Sequence, residues 1–215
     1  MPERYPGYDV LRKHDSPSWN DQTRAVIDER LAIDPNSHRF FTDEEWPTMR
    51  AVCDRIVPQT VARPRPVPLA AMVDRKLRAA TSDGYRYAEL PPMRVAWRRG
   101  LAAIDAEAKL RHGCRFHELG MPDRDALLSA VQLGNVSKQL WRGLPPKSFF
   151  TKRVLHDIVG AYYAHPTAWN EIGFGGPASP RGYVRMNFDR RDPWEASEAR
   201  PGREQRARRE NARVG

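Results

Sequence analysis

Apolar residues recur at helical spacing through the middle of the chain and lose that order at both ends. After Phe40-Phe41, the stretch Thr42-Asp43-Glu44-Glu45 reads as a helix start. Thr42 can accept from the Glu45 amide while the Glu45 carboxylate reaches back, the reciprocal capping box. Trp46, Met49, Cys53, Ile56 and Val57 then share one face, and Pro58 ends the helix. Residues 62–68 hold three prolines and read as a linker without internal hydrogen bonds. A second helix fits Pro68 to Ala80 through Leu69, Met72, Val73 and Leu77. A third fits Pro91 to His112 through Trp97, Leu101, Ile104 and Ala108, with Gly113 placed as its left-handed stop. A fourth runs from Asp123 to Leu133 with Leu127, Leu128 and Val131 inward. The fifth, Ser148 to Ala164, has the most apolar face, built from Phe150, Val154, Leu155, Ile158, Val159 and Tyr162.

No alternating strand pattern and no internal repeat is present. The pattern predicts a mainly α fold, an irregular bundle of about five helices. Long extended N- and C-terminal arms and a Gly/Pro-rich docking loop complete it. Four segments follow: an extended arm over 1–40 with one helix near Asn20 to Ile33, a helical core over 41–164, the docking loop over 165–189, and a basic tail over 190–215. That tail holds eight arginines, five acids and one large apolar residue, Trp194. It is expected to be solvated and disordered, because it cannot bury enough to offset its ordering entropy.

Composition narrows the function classes. The chain has 215 residues, 40% hydrophobic, which allows a lean core. With 19 prolines and 14 glycines, much of it should be loop. Net charge is +9, and arginine supplies 30 of the 36 basic residues. That excess suits planar ion pairs at interfaces and leaves a nucleic-acid partner to be considered. No apolar run is long enough to cross a membrane. Cys53 and Cys114 make no disulfide framework, and no Cys-x-x-Cys-His attaches haem. The N-terminal residues lack the apolar stretch of a signal peptide, and none of the arginine pairs leads an N-terminal apolar segment.

The most unusual segment is His165 to Asn187. It is too rich in glycine and proline to read as helix, and too rich in Trp169, Ile172, Phe174 and Tyr183 to be an ordinary solvated loop. Gly173 to Ala178 matches the dinucleotide pattern G-x-G-x-x-A. The context is wrong for it. A helix precedes where a strand is required, and Pro177 and Pro180 break any helix after it. Tyr162-Tyr163-x-His165-Pro166-x-x-Trp169-x-Glu171-Ile172-Gly173-Phe174-Gly175-Gly176-Pro177, followed by Pro180-Arg181-Gly182-Tyr183, resembles the gluconate 2-dehydrogenase subunit 3 family. Phe40-Phe41-Thr42-x-x-Glu45 and Ile56-Val57-Pro58 extend the resemblance over about residues 40 to 188.

These are small subunits of bacterial dehydrogenases whose large subunit is a glucose–methanol–choline-type flavoprotein. The resemblance implies an accessory subunit that is not an enzyme by itself and carries no cofactor. FAD and the catalytic histidine belong to the large subunit, and haem c to a possible cytochrome c subunit. The complex would oxidise the CH–OH group of a sugar, sugar acid or polyol, and this chain would stabilise the large subunit and aid its export or maturation. The expected contact residues are His165, Trp169, Glu171, Ile172, Phe174, Gly175, Gly176, Arg181 and Tyr183, with the N-terminal arm as a second contact. Many family members carry a twin-arginine signal, and none is visible here. Two locations therefore stay open: periplasmic if the chain is co-exported with its partner, cytoplasmic otherwise.

Three other readings compete with this one. His112, Cys114 and His117 form H-x-C-x-x-H, to which Cys53 could add a fourth zinc ligand, giving a free-standing metal protein or enzyme. The spacing is not that of a standard finger, and a histidine at a helix end is favoured by the dipole alone. His156 beside Asp157, and His165, could be bases, but the sequence shows neither a nucleophile nor a substrate pocket beside them. His165 reads as a cap on the last carbonyls of its helix, and Glu171 with Arg181 as either an internal ion pair or a pair of partner contacts. The basic tail could touch phosphates, but no recognised nucleic-acid motif is present and acids are interleaved among the arginines, so no nucleic-acid partner is expected.

Overall fold

The computed structural model describes residues 5, 7–61, 63–80, 83–85, 87–176, 197 and 199–212. Among them all regular structure is helical, as the period of the apolar positions predicts. The α-helices are α1 (Asp21–Leu31), α2 (Trp46–Ile56), α3 (Leu69–Arg78), α4 (Met93–His112), α5 (Met121–Leu133), α6 (Lys138–Trp141), α7 (Pro146–Phe149), α8 (His156–Ala164), α9 (Pro166–Ile172) and α10 (Glu204–Asn211). Short 3-10 turns lie at Val10–Lys13 and Phe116–Glu118. By contacts the chain divides into two units, one of residues 33–162, the other of 1–32 with 163–215.

In the unit of residues 33–162, the expected start of α2 is present. Thr42 N–H donates to Glu45 Oε2 at 3.0 Å and Glu45 N–H to Thr42 Oγ1 at 3.2 Å. Gly113 ends α4 at φ 78°. The core gathers around Trp97, Phe149, Met49, Leu101, Ile104 and Ile158, all buried. Gly100 makes room at its centre: a Cβ there would lie 2.0 Å from Phe149 Cζ. The Phe149 ring meets Trp97 edge-on, centroids 5.7 Å apart.

Asp74 and Asp157, two of the buried carboxylates among the described residues, organise this unit, and the periodicity did not mark either. Asp74 accepts from the backbone N–H groups of Arg39, Phe40 and Phe41 at 2.8–2.9 Å, fixing the segment that leads into α2. Asp157 accepts from the Trp97 indole at 2.8 Å and from Lys76 Nζ at 3.1 Å, with Arg153 at 3.7 Å. Lys76 and Arg153 also reach Asp83, at 2.6 and 3.1 Å. Two cations against two carboxylates leave the quartet neutral, which is how charge is tolerated inside.

The expected fifth helix, Ser148 to Ala164, is not uniform. Residues Phe150–Leu155 form a π-helical segment between α7 and α8. A π turn absorbs one extra residue per turn and shifts which side chains face inward. Here Phe150, Arg153 and Val154 are buried within it and Asp157 just beyond, so the segment serves both the apolar core and the quartet.

In the other unit, the terminal segments depart from the expectation of extended arms. Val10, Trp19, Ile27 and Trp169 form a buried cluster, with Tyr8, Leu11 and Leu31 against it. Asn20 caps α1 by accepting from Thr23 N–H at 2.9 Å. The tail, expected to be disordered, contains α10. Its arginine, glutamine, alanine and glutamate residues are good helix formers, and Arg206 pairs with Glu210 at 2.8 Å one turn on. It also finds a partner within the chain. Ala207 is buried, Asn211 Nδ2 donates to the Pro17 and Ser197 carbonyls, and Ala199 N–H donates to Ser18 Oγ at 2.8 Å.

Candidate partner-docking site

The segment after α8 was expected to be too rich in glycine and proline for a helix, yet Pro166–Ile172 is α9. All the glycines lie beyond Ile172, and Pro166 sits in the first turn, where no N–H is needed and its φ is already helical. His165 was expected to cap the preceding helix. It caps this one: Nδ1 accepts from Thr167 N–H at 3.4 Å and lies 2.8 Å from Thr167 Oγ1. Gly173 stops α9 at φ 65°, and Phe174 N–H returns to the Trp169 carbonyl at 3.0 Å, the six-to-one bond of a Schellman turn.

That geometry sorts the expected contact residues. His165 and Trp169 are buried in the chain's own core, and the Trp169 indole donates to the Tyr163 carbonyl at 2.8 Å. Gly176 is buried too, at φ 81°, where a Cβ would lie 2.7 Å from Trp19 Cζ2. Gly175 is partly buried and Glu171 exposed. Ile172 and Phe174 are 44% and 37% exposed. Arg181 and Tyr183 lie outside the described residues, as do the second half of the docking loop and Trp194.

The exposed pair is held from behind by the N-terminal segment. Phe174 stands edge-on against Trp169, centroids 5.3 Å apart. Its carbonyl accepts from Tyr8 Oη at 3.2 Å, and the Gly175 carbonyl from Lys13 Nζ at 3.2 Å. The Tyr5 ring packs so close to Gly173 that a Cβ would come within 2.8 Å of it. Asn170 closes the join, accepting from Val10 N–H at 2.8 Å and donating to Asp9 at 3.2 Å. Sequence reading missed Tyr5, Tyr8, Lys13 and Asn170 as parts of this site. Their partners lie some 160 positions away in the chain, so no local pattern marks them. The result is an apolar ridge of Tyr5, Ile172 and Phe174 on a rigid turn. Such a surface can bind another protein, and among the described residues Tyr8 and Lys13 are engaged in bracing the turn.

The proposed metal ligands are not assembled. His112 is exposed at the end of α4, and the His117 ring lies 3.5 Å from Thr48 Oγ1, whose proton goes to Asp105. Cys53 is buried, and burial pushes its thiol pKa up, away from the thiolate a metal needs. Among the described residues, the one cluster with metal-ligand spacing is Asp83, His156 and Asp157. Its two carboxylates are already taken by Lys76 and Arg153. At Asp83 burial works to raise the pKa, but the hydrogen bonds from Lys76 and Arg153 outweigh it and hold the group below the ordinary range. It is therefore an internal ion-pair network. No helix among the described residues is long and apolar enough to cross a membrane.

No curated protein and no solved structure is similar enough to the chain to be matched. A family model does match, over residues 43–176, which takes in the helices of the larger unit, α9 and the turn that presents Phe174. On that match, which spans more than half its length, the chain belongs to the family described as gluconate 2-dehydrogenase subunit 3.

Proposed function

We propose that the chain is a non-catalytic accessory subunit that binds and stabilises the FAD-dependent large subunit of a dehydrogenase acting on a sugar, sugar acid or polyol. The family supports membership of a dehydrogenase complex. The observation that carries the docking role is the Ile172–Phe174 ridge. Two apolar side chains stay exposed on a turn that a buried tryptophan, two positive-φ glycines and the N-terminal segment all brace. Side chains so pre-organised lose little entropy on binding, which is how a small surface gains affinity. On this reading FAD, the catalytic histidine and any haem c belong to the partners, and assembly also assists export or maturation.

Co-expression with a flavoprotein dehydrogenase large subunit from the same genome tests the role. The large subunit should be soluble, flavin-loaded and active with the chain, and poorly so without it. Equal yield, flavin content and activity in its absence would remove the role. Phe174→Asp with Ile172→Asp should abolish co-purification while circular dichroism stays unchanged; retained co-purification would place the contact elsewhere.

A further inference from the structure

A pocket of about 280 Å³ lies in the unit of residues 33–162, between the end of α3, residues Tyr85, Tyr87 and Leu90, and the first turn of α4. Leu77, Leu90 and Met93 give it apolar walls, and Tyr85 and Tyr87 line it with aromatic surface. The rest of its lining includes cations, with no carboxylate among the lining residues. Of these cations, Lys76 and Arg153 are spoken for by Asp83 and Asp157. Arg94 is not: it is exposed, and its guanidinium only rests over the Phe40 ring, 5.2 Å from the centroid. The two phenol oxygens are 3.3 Å apart and bond to each other. One O–H is spent in that bond, which leaves the other hydroxyl proton available to an acceptor.

Two backbone irregularities meet at the same place. Ala80, on the pocket wall, has φ 53°, a left-handed conformation that a residue with a Cβ adopts at a cost. Arg153, also on the wall, belongs to the π-helical segment. Such departures concentrate where a fold serves a site as well as its own core.

We infer that this pocket binds a small organic carboxylate with an apolar, ring-sized body. The apolar walls take the body; the carboxylate accepts from the available phenol O–H and pairs with Arg94. A neutral ligand would forgo the ion pair with the exposed guanidinium, and a polyol would strand its hydroxyls against Leu77, Leu90 and Met93. Among the described lining residues Arg94 is the cation without an ion-pair partner, and a concave apolar pocket beside it suits a small molecule better than a flat protein surface does. The inference does not rest on the docking role, since none of these residues belongs to the Ile172–Phe174 ridge.

The test is calorimetric titration of the purified full chain with 3-phenylpropionate, its uncharged amide, and acetate. The acid should bind saturably at one site per chain. The amide and acetate should bind at least about tenfold more weakly, since each lacks one of the two recognised features. Arg94→Gln should weaken the acid about tenfold and leave the amide unchanged, while Met93→Trp should fill the pocket and abolish both. Far-ultraviolet circular dichroism verifies that each variant is folded. Absence of binding by the acid, equal binding of acid and amide, or full affinity in a folded Met93→Trp chain would each overturn the inference. So would a result in which no probe binds and Arg94→Gln instead costs co-purification with the large subunit, which would make the pocket a protein contact.

Discussion

Trp169 and Phe174 touch each other, yet they should respond to substitution in opposite ways. Trp169 is 2% exposed, within the cluster of Val10, Trp19 and Ile27. Truncating a buried tryptophan to alanine removes roughly 150 Å² of apolar surface, about 4 kcal/mol at the usual coefficient. The lost indole bond to the Tyr163 carbonyl adds about 1 kcal/mol, and the lost edge contact with Phe174 a further fraction. Trp169→Ala should therefore cost about 4–5 kcal/mol within the unit of the terminal segments, most of the stability a unit of that size can have. Hydrogen exchange should show amides of α1 and α9 losing protection by about three orders of magnitude or more. Phe174→Ala, at a 37% exposed position, should leave that protection within about fivefold and act on co-purification instead. Unchanged protection in Trp169→Ala would mean that the tryptophan is not structural, and the separation of core from docking face would fail with it.

Gly100→Ala should destabilise the other unit by about 1–3 kcal/mol, read from a shift in urea midpoint at constant slope, because the new methyl meets the Phe149 ring at 2.0 Å. Asp157→Asn should cost about 3–5 kcal/mol by the same measurement, since it leaves Lys76 and Arg153 facing Asp83 alone. His38 lies 2.9 Å from Asp43, and that hydrogen bond raises its pKa above the ordinary histidine value despite partial desolvation. Its contribution is full below the unfolded value of about 6.5 and fades as pH rises through the higher folded value. His38 should thus contribute a fall in stability of less than about 1 kcal/mol across that window, and His38→Gln should remove that share of it. The hydrogen bond to Asp15 raises His14 in the same direction, so the His14→Gln variant serves as the second half of the experiment.

The helices of the larger unit were legible because each rule concerned residues a turn apart. Thr42 and Glu45 cap as their spacing predicts, Gly113 is left-handed, and the faces of α2 through α5 are buried as the period requires except at Ile56, Val57 and Met72, which are half-buried. The π-helical segment was not legible: Phe150, Val154 and Ile158 fit an ordinary helix, and the shift shows only when Arg153 and Asp157 are seen to share the quartet. Composition misled where it averaged over a boundary. The glycines after Ile172 concealed α9, and the arginines of the tail concealed α10, whose Ala207 and Asn211 dock on the N-terminal segment. At the candidate site, Ile172 and Phe174 were marked by their type, but which aromatic faces solvent depends on Tyr5, Tyr8 and Asn170.

The segment from His165 to Gly176 packs the terminal unit with one set of side chains and, on the proposed reading, offers a partner another, and the two sets touch at Trp169 and Phe174. Binding and local folding are then linked. Any partner that holds Phe174 in place favours the state in which Trp169 is buried, and its full binding energy bears on that equilibrium. At a partner concentration about 100-fold above the dissociation constant the gain is about 2.7 kcal/mol. Hydrogen exchange in α1, α9 and α10 should slow by up to about 100-fold in the complex, although none of α1 or α10 contributes to the apolar ridge. A partner engaging a surface unconnected to Trp169 would slow exchange only where it covers the chain. Protection confined to residues 172–176, with α1 and α10 unchanged at saturating partner, would show that the ridge and the core beneath it are not coupled.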